Sequence, residues 1–215
     1  MEDQQSTASV PQRRERQDAL EHRRLILAAA KQIFATQGVE NTSMYEIARA
    51  AGVGQGTLYR RFAHKGELCQ ALIAEDVDAY KDQVLTALSG AGAPASALER
   101  LDILIVELIR LTTLHLPLFA AIDETAAGQR RPRPFHSPFH VWLHERIAGL
   151  LAEAVAKGEI EPLDVEFTAD AILAVLAPPF ISHQHQDRGC GPERIAAGVH
   201  HLFVESLRRG PTTFS

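Results

Sequence analysis

The sequence has little cysteine, no long apolar run and almost no strand signal, and each absence narrows what the chain can be. Its two cysteines, Cys69 and Cys190, make neither a metal-binding spacing nor a disulfide framework. They are expected to be reduced thiols of a cytoplasmic protein. No stretch approaches the ~18–20 consecutive apolar residues that a membrane span needs. The opening residues are polar and lack the apolar centre of a secretory signal, so export is not expected. Period-two alternation is missing, and no Asn-Gly or Asp-Gly pair offers a hairpin turn. There is no Gly-rich phosphate loop, no nucleophile elbow and no Cys/His zinc spacing. An enzyme, a bound cofactor and a metal site are therefore not expected.

What is present is helical periodicity over most of 215 residues. The hydrophobic share of 46% supports a sizeable core, and the length favours a small domain followed by a larger one. The net charge of −5 is unevenly spread. Residues 1–65 hold ten Lys/Arg against seven Asp/Glu, and the remainder twelve against twenty. Affinity for phosphate depends on where positive charge sits, so the N-terminal part can face nucleic acid while the body avoids it.

Periodicity and breakers predict an all-α chain. Residues 1–17 read as a disordered polar arm and 18–64 as a helix-turn-helix domain. Residues 65–215 read as a helical body, with helix 65–88 as the connection. Within the body, helices are expected at about 95–115, 118–127, 137–157, 164–177 and 192–208. Pro117 breaks the chain before the second, and a loop at Gly128–Pro134 carries three arginines. Ser137 and Pro138 start the third, and Pro178-Pro179 opens a His/Gln-rich loop before the last.

The informative segment is Thr42-Ser43-Met44-Tyr45-Glu46-Ile47-Ala48-Arg49-Ala50-Ala51-Gly52-Val53-Gly54-Gln55-Gly56-Thr57-Leu58-Tyr59-Arg60-Arg61-Phe62. Ser43 and Glu46 fit a capping box. Ile47 and the small Ala48 face inward, and Gly52 suits the left-handed turn between two helices. Leu58 and Phe62 anchor the second helix from behind. Gln55, Gly56, Thr57, Tyr59 and Arg60 are left facing out. Gln55 can pair bidentately with adenine, and Gly56 permits close backbone approach. The Thr57 and Tyr59 hydroxyls suit phosphate oxygens, and Arg60 suits a base or a phosphate. Lys65, opening the next helix, adds charge beside backbone amides that favour phosphate.

These residues carry a resemblance. The stretch from Leu25 to Leu72 resembles the DNA-binding domain of the TetR family of bacterial transcriptional regulators. The shared pieces are residues 26–30, Phe34, Gly38, Thr42-Ser43, Ile47-Ala48, Ala51-Gly52-Val53, Gly56-Thr57-Leu58-Tyr59, Phe62, Lys65 and Glu67-Leu68. Gly54 departs from the family's frequent serine, and Arg60-Arg61 from its usual pair after the tyrosine. The resemblance implies an Ω-shaped dimer with three N-terminal helices for double-stranded operator DNA and a divergent helical body for a small-molecule effector and dimerisation. Thr42, Ser43 and Tyr45 then join Gln55, Gly56, Thr57, Tyr59, Arg60 and Lys65 as expected DNA contacts.

The same resemblance places an effector cavity among the body helices, expected near Leu108, Leu111, Phe119, Ile122, Phe139 and Trp142. Apolar walls of this kind imply a hydrophobic or amphipathic effector. The dimer face is expected on the last two helices, at Phe167, Ile172, Val175, Ile195, Val199, Leu202 and Phe203. The 164–177 helix is apolar around much of its circumference, as a helix buried on two sides must be. Regulation is expected to be repression relieved by the effector, with activation allowed by the same linkage. His136, His140 and His144 recur every four residues, with His183, His185, His200 and His201 further on. They keep open a metal-responsive regulator, and a helical protein-interaction adaptor is the other alternative.

Overall fold

A computed structural model describes residues 10–89, 92, 96–125 and 137–209, with side chains from Gln17 through Arg208. Every regular element among them is helical. In order these are α1 (Val10–Gln37), α2 (Met44–Ala50), α3 (Gln55–Arg61), α4 (Lys65–Ser89), α5 (Ala97–Leu114), α6 (Leu116–Thr125), α7 (Pro138–Ala156), α8 (Val165–Leu176), α9 (Pro178–Ser182), α10 (Pro192–His200) and α11 (Ser206–Arg209). Two π-helical turns, His183–Asp187 and His201–Glu205, extend α9 and α10. The arginine-rich loop Gly128–Pro134 and His136 lie outside the described residues, as do residues 1–9 of the expected arm.

Helix α1 starts at Val10, within the segment 1–17 that was expected to be a disordered arm. Pro11 sits in its first turn, where no N–H is needed, so the polar segment can extend the helix. Likewise Pro178 and Pro179 open α9 instead of a loop, with Ala177 extended as its N-cap. The prolines end one helix and begin another within one residue.

The described residues divide into two compact units. The first takes in the chain up to Ile73 and also the stretch Pro117–Gly128, and the second takes in the rest. The first unit thus extends past residue 64 and takes in α6 as well. The first unit is built on Ile26, Leu27, Ala30, Ile47, Ala48, Leu58, Phe62, Leu68 and Leu72, all nearly inaccessible, with Leu118 and Ala121 of α6 completing the same core. Burying each such leucine or isoleucine contributes about 1.5–3 kcal/mol. Gly66 marks how close α4 and α6 come: a Cβ there would lie 2.0 Å from Thr125 Oγ1.

The second unit is organised around α5, whose Leu98, Leu101, Leu104, Ile105 and Ile109 are almost wholly buried. Helices α7, α8 and α10 pack around it through Leu143, Ile147, Leu151, Ile172, Leu173, Ile195 and Val199. The N-terminus of α5 is closed by a remote carboxylate. Glu159 accepts from the Ala97 and Leu98 amides at 2.9 and 3.1 Å and from the Ser96 hydroxyl at 2.8 Å. Partial burial raises the Glu159 pKa, but the two amides and the hydroxyl outweigh it, leaving the carboxyl below its ordinary range. Arg100 of α5 also pairs with Glu153 of α7.

Candidate nucleic-acid interface

The site is built from three short segments of the first unit. Ser43 caps α2: its hydroxyl accepts from the Glu46 amide at 3.3 Å, and the Glu46 carboxylate accepts from the Ser43 amide at 2.8 Å. The Ser43 backbone and hydroxyl donors hold the Glu46 carboxyl below its usual value. Ala48 is buried under the crossing, and Gly52 takes φ +67°, the left-handed conformation in which glycine is least strained. Helix α3 then runs from Gln55 to Arg61, with Leu58 inside. Phe62, buried at its C-cap, has the Arg23 guanidinium 5.3 Å above its ring.

The opposite side of α3 is open. Gln55, Gly56, Tyr59 and Arg60 are exposed, Tyr59 to 50%, and Tyr45 on α2 is exposed to 57%. Thr57 is half-buried, and its hydroxyl accepts from Arg60 Nη2 at 3.2 Å, so it steadies the arginine. The fold does not require a glycine at position 56, because a Cβ there would meet nothing within 4 Å. Glycine in an exposed helix costs about 1 kcal/mol relative to alanine. That cost is explained when something outside the chain comes close to this backbone.

One expected contact is corrected, and another is already engaged within the unit. Thr42 is only 3% exposed and its hydroxyl donates to Gly38 O at 2.8 Å, so it closes the loop after α1 and is not available to DNA. Lys65 is half-buried, and its ammonium donates to the carbonyls of Val39 at 2.8 Å, Thr42 at 3.2 Å and Glu40 at 3.5 Å. All three of its protons go to that loop, which makes it a staple for the α1–α2 turn. Sequence reasoning overlooked Arg49 and Arg61, both exposed and flanking the motif. Their signal was plain, two cations within the helix-turn-helix that the core has no use for. Gly54, the N-cap of α3, makes no side-chain cap bond.

The expected effector residues are shared between the two units. Leu108, Leu111, Phe139 and Trp142 belong to the second unit's core, where the Phe139 and Trp142 rings stack with centroids 6.1 Å apart and Tyr80 meets both edge-on. Ile122 packs on the first unit's core, and Phe119 sits half-buried on the same helix. Phe135 lies outside the described residues. On the expected dimer face, Phe167 is 71% and Leu202 60% exposed, with Val175 and Phe203 half-buried. Ile172, Ile195 and Val199 are buried within their own unit, since the opposite faces of α8 and α10 close its core. The histidines are held by carboxylates or carbonyls: His144 near Glu166 and Asp170, His183 by Asp187, His185 by Cys190 O, His200 by Asp102 and His201 by Glu205. No three metal-ligating side chains converge among the described residues.

Residues 26–72, which hold the whole helix-turn-helix, match the bacterial regulatory proteins of the tetR family. With the all-α fold of the described residues, this match makes the chain similar to TetR-family regulators of transcription. Among curated relatives, the HTH-type transcriptional regulator SAR2658 of Staphylococcus aureus (strain MRSA252) is 26% identical over 201 residues, covering 90% of this chain and 98% of that protein. A second S. aureus regulator, SAUSA300_2515 (strain USA300), is 46% identical over 65 residues, which are 30% of this chain and 35% of that one. Among solved structures, AibR in complex with isovaleryl coenzyme A and operator DNA is 26% identical with a TM-score of 0.55, covering 85% of this chain and 98% of AibR.

Proposed function

We propose that the chain acts in the cytoplasm as a homodimeric, ligand-responsive repressor, released from its operator by a small hydrophobic or amphipathic effector, and that its role is regulatory, not catalytic. The observation that carries this reading is the outer face of α3. Gln55, Gly56, Tyr59 and Arg60 are presented outward and serve no purpose in the core. Ser43, Tyr45 and Thr57 stand beside them as the remaining proposed contacts.

Two recognition helices in a dimer must meet half-sites about 34–36 Å apart on one face of DNA. An effector that binds better to a subunit conformation with a different spacing draws the population off the operator, by no more than its differential affinity. Helix α6 shares its core with the helix-turn-helix, and α5 runs directly into it through His115 and Leu116. A change around α5 therefore has a covalent route to the DNA-binding unit. We place the effector near Leu108, Leu111, Phe139 and Trp142. AibR was solved with isovaleryl coenzyme A, so acyl thioesters of coenzyme A are the first class to try.

The test is to recover bound fragments from random double-stranded DNA with the purified protein, and then titrate the complex with short- and long-chain acyl-coenzyme A thioesters. An enriched two-fold site whose binding is weakened by one of them supports the proposal. Failure to enrich any sequence would overturn it, and an enriched site that no thioester releases would overturn the effector class alone.

A further inference from the structure

Helix α1 outruns the core it belongs to. Ile26 is the first buried residue among its described side chains, and from Gln17 to Leu25 every side chain is exposed or only half-buried. The stretch from Val10 to Leu25 amounts to about 24 Å of helix. Residues 10–24 hold five arginines against three carboxylates, and the two signs keep to different rows. Arg13, Arg16, Leu20, Arg23 and Leu27 follow one another at steps of three and four, the spacing of a single helical face. Glu15 and Asp18 fall outside this row. Arg24, beside it, is engaged by Glu21 at 2.6 Å. Arg23 makes no ion pair among the described residues, and its guanidinium lies on the ring of Phe62, the C-cap of α3. Leu27 is buried in the same core as Phe62 and Leu58. The row therefore leaves α1 on the side that meets α3, next to the last turn of α3 with its Arg60 and Arg61.

We propose that this basic row is a second DNA contact, in which the α1 extension lies along the sugar-phosphate backbone beside the half-site that α3 enters, with Arg13, Arg16 and Arg23 on phosphates. The inference rests on the DNA-binding reading above and carries it past the helix-turn-helix, to backbone that α3 does not reach. Charge decides the occupant: Leu20 is the row's one exposed apolar residue, so the row offers little to an apolar protein surface and much to a line of phosphates. Reach fits as well. Arg13 and Arg23 stand about 15 Å apart along the helix axis, enough to bridge the two strands across a minor groove about 6 Å wide. Contacts of this kind carry no sequence information. They lengthen the footprint, fix the register of α3 on the duplex, and steepen the salt dependence by releasing counterions.

The test uses full-length wild type, R13A/R16A and R14A, with circular dichroism as the check on folding. Each is titrated over a range of salt against an operator duplex recovered by selection, and against the same duplex cut back to its two half-sites. R13A/R16A is expected to bind the long duplex at least about ten-fold more weakly than wild type, with a salt slope smaller by about three to four in a dimer. On the trimmed duplex the two proteins are expected to bind alike. Arg14 lies off the row, so R14A is expected to follow wild type on both. A folded R13A/R16A protein with wild-type affinity and salt slope on the long duplex overturns the inference. So does an equal loss on both duplexes, which would put the contact inside the half-site, or an R14A protein as weak as R13A/R16A, which would mean diffuse charge instead of a helical row. If wild type enriches no duplex at all, the DNA-binding reading itself falls, so the two failures are distinguishable.

Discussion

Helices α3 and α8 are both short, and each closes its own unit with one face while leaving the other unused. On α3 the unused face is Gln55, Gly56, Tyr59 and Arg60, polar and stripped of bulk at one position. On α8 it is Phe167, Ala171, Ala174 and Val175, apolar and flanked by two grooves. The contrast tells what each face meets. A polar, hydrogen-bonding surface suits the wet edge of a base pair, where direction matters. An apolar stripe gains only when water leaves it, which needs a protein surface of matching shape. In the function proposed above, one unit reads nucleic acid and the other supplies the symmetry that brings two readers to one site.

The comparison can be broken at either helix. The largest effect is expected from Leu58→Ala, which empties a fully buried site at the base of α3. Chemical denaturation should show a loss of about 2–5 kcal/mol, with operator binding falling alongside. Gly66→Ala should come next, because its Cβ would overlap Thr125 Oγ1. Overpacking costs about 1–3 kcal/mol, and the effect should be relieved in the double variant with Thr125→Ala. Lys65→Met removes three hydrogen bonds to the α1–α2 turn. A stability loss of about 1–3 kcal/mol is expected, with the salt dependence of operator binding unchanged; a shallower salt slope would return Lys65 to the phosphate contacts.

Smaller effects sharpen the picture in the second unit. Glu159→Gln weakens the closure of α5, and because that carboxylate is partly exposed the loss should be only about 1 kcal/mol. The wild-type carboxyl is held below its ordinary range, so its contribution is complete at neutral pH and disappears as pH falls through that lowered value. The difference between wild type and variant in thermal melts should therefore shrink on acidification. The smallest change is Gly54→Ser, which gives α3 the side-chain cap it lacks. A gain of a few tenths of a kcal/mol is expected.

The helix-turn-helix was legible because its function and its fold leave different marks on neighbouring residues. Leu58 and Phe62 had to be apolar and Gly52 left-handed, and what remained on α3 faced outward. For Lys65, sequence shows that a cation is present, not that its ammonium reaches the carbonyls of a nearby turn. For Ile122, the apolar spacing of α6 says that one face is buried without saying in which core. The same holds for Ile172, Ile195 and Val199: on a helix apolar beyond one stripe, period alone does not separate the inner face from the outer. Pro178-Pro179 looked like a loop because proline forbids a helix interior, yet both fit a first turn.

The measurement closest to the centre of this account is a fluorescence anisotropy titration of a selected operator fragment with wild type and Gln55→Ala, repeated on scrambled DNA and over a range of salt. Gln55→Ala should bind the operator about 10–100-fold more weakly while its binding to scrambled DNA and its salt slope stay the same. Equal operator affinity for the two proteins would mean that the outer face of α3 does not read the bases, contradicting the account.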